Sequence, residues 1–224
     1  MITFTSEKDW SRGILKFHKS HLIKPQTTRR PDDLIWARGK HLKKALNRVE
    51  IDGAFLEFGV HSGVTINTIA AHKASDNKVV HGFDSFEGLP EDWFTHHTHK
   101  TKYTKGYFAV DELPKVDKKV KLWKGWFTDT IPQYLEEHQE QIAFLHIDSD
   151  LYSSAIDVLY GLKDYIVEGT IIVFDDFYPW GRKNYPLWQE GEYKALKEWA
   201  IEFDRHIEVL YHSSHQQTSI KILK

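Results

Sequence analysis

The stretch FLEFGVHSGVTI, Phe55 to Ile66, is an apolar run that breaks at Gly59 and resumes with helical spacing after Gly63. A strand that passes through a glycine turn into a helix opens a βαβ unit. Glu57 ends the strand side. Gly59 lets the backbone turn tightly beside a ligand, and Gly63 starts a helix whose positive end faces that ligand. Val60, His61 and Ser62 separate the glycines, so the pattern departs from G-x-G-x-x-G and a diphosphate cradle is not expected. Taken alone, the stretch reads equally well as a plain strand-to-helix turn.

The next apolar run adds to it. In HGFDSFEGLPEDW (81–93), Asp84 closes a second strand 25 residues after Gly59. That is close to the roughly 20 residues at which a nucleoside-binding βαβ unit places its ribose acid. A helix-capping aspartate is the plainer reading of Asp84. The glycine turn and the acid together favour a nucleoside site.

Further outward, short apolar runs alternate with amphipathic stretches, the pattern of a parallel sheet flanked by helices. Strands are expected at Phe55–Val60, Val79–Asp84, Val120–Lys124, Ile142–Asp148 and Thr170–Asp175. Helices are expected near Val64–His72, Thr130–Glu137 and Ser153–Ile166. Asp129 or Thr130 can cap the second of these, with Pro132 in its first turn. After a helix at about Glu192–Phe203 come two strands, Ile207–His212 and Thr218–Leu223, joined by the polar link SSHQQ. A parallel sheet that ends in an antiparallel hairpin points to a class I methyltransferase fold rather than a dehydrogenase-type Rossmann domain. The first 50 residues read as mostly helical, a cover over the sheet or site.

Composition sets the outer limits. The chain has 224 residues, enough for one α/β domain with a sizeable core, and a net charge of −2 that offers no basic surplus for nucleic acid. With no cysteine, thiolate catalysis, Cys-ligated zinc and a disulfide framework are excluded. The opening residues MITFTSEKDWSRGILKFHKS lack the basic-then-apolar build of a secretory leader. No apolar run approaches the roughly 20 residues that span a bilayer. A cytoplasmic location is expected.

Five stretches, FLEFGVHSG, GFDSFEGLP, GWFTDTIP, HIDSDLYSS and IIVFDDF, stand in an order and spacing that resembles the macrocin-type O-methyltransferases. The resemblance runs from about Ala54 to Phe177. It implies a class I methyltransferase (Rossmann-like) fold: a seven-stranded, mostly parallel sheet with a C-terminal antiparallel hairpin. Residues 51–224 would form the methyltransferase domain and residues 1–50 an N-terminal helical extension. It also implies S-adenosylmethionine and Mg²⁺ (or Mn²⁺) as cofactors. On matching positions, the turn at Glu57, Gly59 and Gly63 would hold the methionine end of the cofactor and Asp84 its ribose. Ser85 and Phe86 would border the adenosine, and Gly125 and Trp126 the adenine. The chain departs from the family after FDDF, where YPWGRKNYPLWQEGEYKALKEW (178–199) is longer and rich in Trp and Tyr.

The acids complete the expectation. Asp148 ends one strand and Asp175 the next, with Asp176 beside it, and neighbouring strand ends of an open parallel sheet meet at the ligand crevice. Three carboxylates crowded there repel unless protonated or neutralised by a cation. Hard oxygen donors suit Mg²⁺, and the resemblance implies metal on the same three residues. Capping and surface acids are the plain alternative. Asp150 points the other way and is expected to cap the helix that begins at Ser153.

The expected activity is a Mg²⁺- and S-adenosylmethionine-dependent O-methyl transfer to a small hydroxylated acceptor, a sugar or a phenol. Asp148 would both ligate the metal and take the proton. No nucleic acid or membrane partner is expected, and homo-oligomer formation is left open. A metal-dependent hydrolase or phosphotransferase would use the same acids, but no G-x-x-x-x-G-K-[ST] is present. A methyltransferase-like domain that binds without catalysis is the non-enzyme alternative. The triple His96, His97 and His99 in THHTHK reads as a solvated loop or substrate lid, and His146 as a packing or orienting residue.

Overall fold

The computed structural model of the chain describes residues 2–6, 8–10, 31–95, 103–178, 185–213 and 216–224. Its parallel strands are β2 (Ala54–Phe58), β3 (Val80–Asp84), β4 (Val120–Lys124), β5 (Ile142–Ile147) and β6 (Ile171–Phe174). The antiparallel β7 (Ile207–His212) and β8 (Thr218–Ile222) follow, and a short β1 (Ile2–Phe4) joins the edge. One eight-stranded sheet results, in the order β1-β7-β8-β6-β5-β2-β3-β4. Every residue of β2, β5 and β6 is buried, because helices cover both faces of these central strands.

The seven strands read from the sequence are all present. The eighth, β1, was not expected: three residues are too few to carry an alternation pattern. It pairs antiparallel with β7, matching Ile2 to Val209 and Phe4 to Ile207.

The helices are α1 (Pro31–Leu46), α2 (Val64–Ala70), α3 (Phe127–Glu137), α4 (Tyr152–Gly161) and α5 (Glu192–Glu202). On one face of the sheet, Tyr134 of α3, Val158 and Leu159 of α4 and Trp199 of α5 pack with Leu56, Phe58 and Phe83. On the other, Leu42 and Leu46 of α1 and Ile66 and Ile69 of α2 pack with Phe55, Phe144 and Val173. Helix α1 thus shares the smaller of these two core clusters, on the face of the sheet that carries the site. None of these helices is long and apolar enough to cross a membrane.

Two capping expectations are corrected. Helix α4 begins at Tyr152 with Leu151 as its N-cap and no side-chain cap, so Asp150 does not cap it. Asp150 instead adopts φ 62, which turns its carboxyl back toward Asp176. Helix α3 begins at Phe127 with Trp126 as its N-cap. Asp129 and Thr130 therefore lie inside it, and the Thr130 hydroxyl donates back to the Trp126 carbonyl at 3.0 Å. Pro132 then falls beyond the first turn.

Candidate active site

The chain runs from β2 outward to β3 and β4, then returns to the opposite side of β2 as β5. The carboxyl ends of β2 and β5 therefore diverge at a switch point, where open α/β sheets bind ligands. Gly59 sits there with φ 91, and a Cβ on it would lie 1.9 Å from the Asp148 carbonyl oxygen. The glycine is thus required by the neighbouring strand end rather than by a ligand. Gly63, at φ 79, is the N-cap of α2.

Asp84 ties this turn to the end of β3. Its Oδ2 accepts the Val60 and His61 amides, each at 2.8 Å, and its Oδ1 accepts the Phe86 amide at 2.7 Å. Three of about four acceptor positions of a carboxylate are filled by backbone. Asp84 is first a clasp for the two turns, and one acceptor position on Oδ1 remains for a ligand hydroxyl.

Five carboxyl groups gather at the ends of β5 and β6. Asp148 and Asp175 face Arg38 from α1: Nη2 lies 2.5 Å from Asp175 Oδ2, and Nη1 lies 3.7 Å from Asp148 Oδ2. The closer contact is an ion pair without hydrogen-bond alignment, and neither Asp175 Oδ2 nor Arg38 Nε has a hydrogen-bond partner among the described residues. Asp175 Oδ1 accepts from Gln217 at 2.9 Å. Asp176 turns away to accept from Gln216 at 2.5 Å and lies against Asp150. Glu192, fully buried at the start of α5, accepts the Ser149 amide at 3.3 Å and the Asp176 amide at 3.0 Å.

Burial first, and Asp175 second, push the Asp148 carboxyl up to about 8 and the Asp176 carboxyl up to about 7. Burial and Asp176 raise both Asp150 and Glu192 well above the carboxylate range. Asp175, above all, holds Arg38 in its charged form. Among the described residues one guanidinium faces five acids, a crowding that protonation of the raised carboxyls or a further cation relieves.

Beside these acids lies a buried pair: Glu57, expected at the methionine end of the cofactor, and His146, read as a packing or orienting residue. His146 Nδ1 is 2.9 Å from Glu57 Oε2, and Thr65 donates to Glu57 Oε1 at 3.0 Å. Burial raises Glu57 against the pull of His146, while Glu57 raises His146 against burial. His146, Asp148 and Asp175 each offer a donor atom within 4.8 Å of the others'.

A cleft of about 510 Å³ opens over this floor. Of the sequence-predicted residues, Gly59, Asp84, Ser85, Trp126 and Asp148 line it. Glu57, Gly63, Phe86, Gly125, Asp175 and Asp176 do not line it. Glu57 is held beneath the glycine turn by Thr65 and His146, and Phe86 packs into the core with Phe55 and Val80. Asp175 is closed off by Arg38, and Asp176 by its turn toward Gln216. The sequence reading missed Arg38, Glu192, Gln216 and Gln217. Arg38 carries no motif signal, since it is one basic residue on an amphipathic helix. His96, His97 and His99, and residues 179–184 of the aromatic stretch, lie outside the described residues.

A central β2 flanked by β3 and β5, an antiparallel closing strand between β6 and β7, and a glycine turn facing an acid-lined cleft define a class I methyltransferase fold. The chain belongs to the macrocin-O-methyltransferase (TylF) family, whose model matches residues 36–195. It is 26% identical over 143 residues to the 8-demethyl-8-(2,3-dimethoxy-alpha-L-rhamnosyl)-tetracenomycin-C 4'-O-methyltransferase of Streptomyces olivaceus. That match takes in 57% of this chain and 54% of the relative, so the chain spans about half the length of the curated protein it matches.

Among solved structures, the calicheamicin methyltransferase CalS11 superposes with a TM-score of 0.61 at 21% identity, over 97% of this chain and 94% of that one. The O-methyltransferase NovP gives 0.62 at 20% identity, over 95% and 94%. MycE, from the mycinamycin biosynthetic pathway and solved with Mg and SAH, gives 0.51 at 15% identity, over 88% of this chain and 55% of that one.

Proposed function

We propose that this protein transfers the methyl group of S-adenosylmethionine to a hydroxyl of a natural-product sugar or phenol, assisted by Mg²⁺ or Mn²⁺. Residues 51–224 carry the methyltransferase domain, with residues 1–50 as its extension. The observation that carries the reading is the cleft itself. The Asp84-clasped glycine turn and the Asp148 carboxyl line the same space, in a chain of the macrocin-O-methyltransferase family.

The cofactor supplies an activated methyl, and the cation polarises an acceptor oxygen. Everything else falls to the chain's own residues. The Gly59–Gly63 turn and the remaining Oδ1 position of Asp84 receive the methionine and ribose parts, while Ser85 and Trp126 border the adenosine. The cation fits the donors present: among the described residues the buried Asp175 Oδ2 has no hydrogen-bond partner and only the Arg38 ion pair, and Asp148 stands beside it. Asp148, Asp175 and Asp176 would hold it, Asp176 while its Oδ1 accepts from Gln216. Asp148, on the cleft wall, takes the acceptor's proton at its carboxylate. The gain comes chiefly from holding acceptor and methyl donor in line.

Titration calorimetry with S-adenosylmethionine tests the cofactor half. One-to-one binding that S-adenosylhomocysteine displaces supports the reading, and no binding of either compound refutes it.

A further inference from the structure

We infer that His146 is a nitrogen ligand of the cation site, aligned by Glu57, so that the site is a mixed histidine–carboxylate centre and not an all-oxygen one. The inference rests on the cation-dependent reading above.

The argument begins with strand register. Glu57 on β2 pairs directly with His146 on β5, and His146 pairs with Val173 on β6. Side chains two residues apart on a strand share a face. His146 and Asp148 therefore project to one side of β5, with Glu57 on one flank and Asp175, two residues beyond Val173, on the other. The Asp175 amide donates to the Ile147 carbonyl at 3.0 Å, which keeps the two strand ends in step.

The ring orientation is fixed from behind. Glu57 engages Nδ1 at 2.9 Å and is itself held by Thr65. A carboxylate there places the proton on Nδ1 and leaves the lone pair on Nε2. His146 is fully buried, and its Nε2 has no hydrogen-bond partner among the described residues. A buried polar atom without a partner is costly, so it calls for an explanation. Neither Asp148 nor Asp175 is hydrogen-bonded to Nε2, and Arg38 contacts only their oxygens. A divalent cation is the group that satisfies an imidazole lone pair and two carboxylates at once. The carboxylate–histidine–metal relay is the arrangement in which a second carboxylate sets the tautomer of a ligating imidazole.

Such a centre differs in metal preference from one built of three aspartates. Mg²⁺ favours oxygen donors, whereas imidazole suits Mn²⁺, Co²⁺ and Zn²⁺ increasingly well.

The test is pulsed electron paramagnetic resonance on the intact protein loaded with Mn²⁺. We expect ¹⁴N modulation from a directly bound imidazole in the wild type and its loss in His146→Gln. Mn²⁺ affinity should fall at least tenfold in that variant, with a smaller loss for Mg²⁺. Should His146→Gln fail to fold, Glu57→Gln serves instead. It keeps the size but removes the tautomer constraint, and it should weaken Mn²⁺ binding by about 10–100-fold. Bound Mn²⁺ without nitrogen coupling in the wild type overturns the inference and leaves the cation site standing as all-oxygen. Coupling that survives in His146→Gln also overturns it. A wild type that binds no divalent cation removes both readings.

Discussion

Arg38 reaches from α1 to within 2.5 Å of the Asp175 carboxylate, so a helix from the first 50 residues supplies, among the described residues, the cation paired with the β6 strand end. The contact links three levels of the molecule. The helix is seated by Leu42 and Leu46 in the core, the guanidinium neutralises part of a buried acid cluster, and its position closes Asp175 off from the cleft.

On the proposed function, Arg38 and a divalent cation would compete for the same oxygens. Arg38→Gln should destabilise the metal-free protein by about 2–3 kcal/mol. That is less than a fully buried pair loses, because the Arg38 side chain keeps 34% exposure. The same variant should gain more thermal stability from Mn²⁺ than the wild type does. Denaturant unfolding and melting curves with and without Mn²⁺ check both, and an equal Mn²⁺ gain in the two proteins contradicts the competition.

The glycine turn gives a second expectation. Gly59→Ala puts a methyl 1.9 Å from the Asp148 carbonyl at φ 91, so backbone must move. A stability loss of about 3 kcal/mol or more is expected, together with loss of S-adenosylmethionine binding. Calorimetry on the soluble variant at low temperature reads the binding. Wild-type affinity and stability would show that the strand ends do not converge as described.

Asp84→Ala separates clasp from ligand contact. Three backbone amides lose their acceptor, so unfolding free energy should drop along with cofactor affinity, the latter by about 1.5–3 kcal/mol. An unchanged affinity in a destabilised variant would confine Asp84 to the clasp and remove it from the nucleoside site.

A pH prediction isolates His81. Burial first, then His138, lowers its imidazole to about 4, and its Nδ1 accepts from Trp123 at 3.1 Å. In the unfolded chain the group titrates near its ordinary value of about 6.5. Between those values the unfolded state binds the extra proton, so the folded state is favoured above about pH 6.5 and loses ground as pH falls toward 4. Subtracting the unfolding free energies of His81→Gln from those of the wild type cancels other titrating groups. The difference should shift against the wild type by up to about 3 kcal/mol between pH 7 and pH 4. A flat difference contradicts it.

The parallel strands, the glycine turn and the closing hairpin were legible because each is written locally, as an apolar run, a small residue or a change of period. The meeting of Asp148 and Asp175 was legible for the same reason: each follows its strand directly, and adjacent strand ends must meet. The direction of the Asp176 side chain was not, because two consecutive residues leave a strand in different directions and only the Gln216 contact decides which. Arg38 and Glu192 act across long sequence separations from helices whose docking no local pattern reveals. His146 sits inside an apolar run, where a histidine reads as packing until its neighbour on β2 proves to be Glu57.

The central claim is that acids at two strand ends hold a cation while the cofactor binds elsewhere in the same cleft. A Mn²⁺ titration at constant S-adenosylmethionine, on the wild type and on Asp148→Asn and Asp175→Asn, tests it most directly. Cation affinity should fall at least tenfold in both variants, about 1.4 kcal/mol or more. S-adenosylmethionine affinity should stay within about twofold in both, since each twofold step is only about 0.4 kcal/mol. Unchanged Mn²⁺ affinity in both Asp148→Asn and Asp175→Asn would contradict the account.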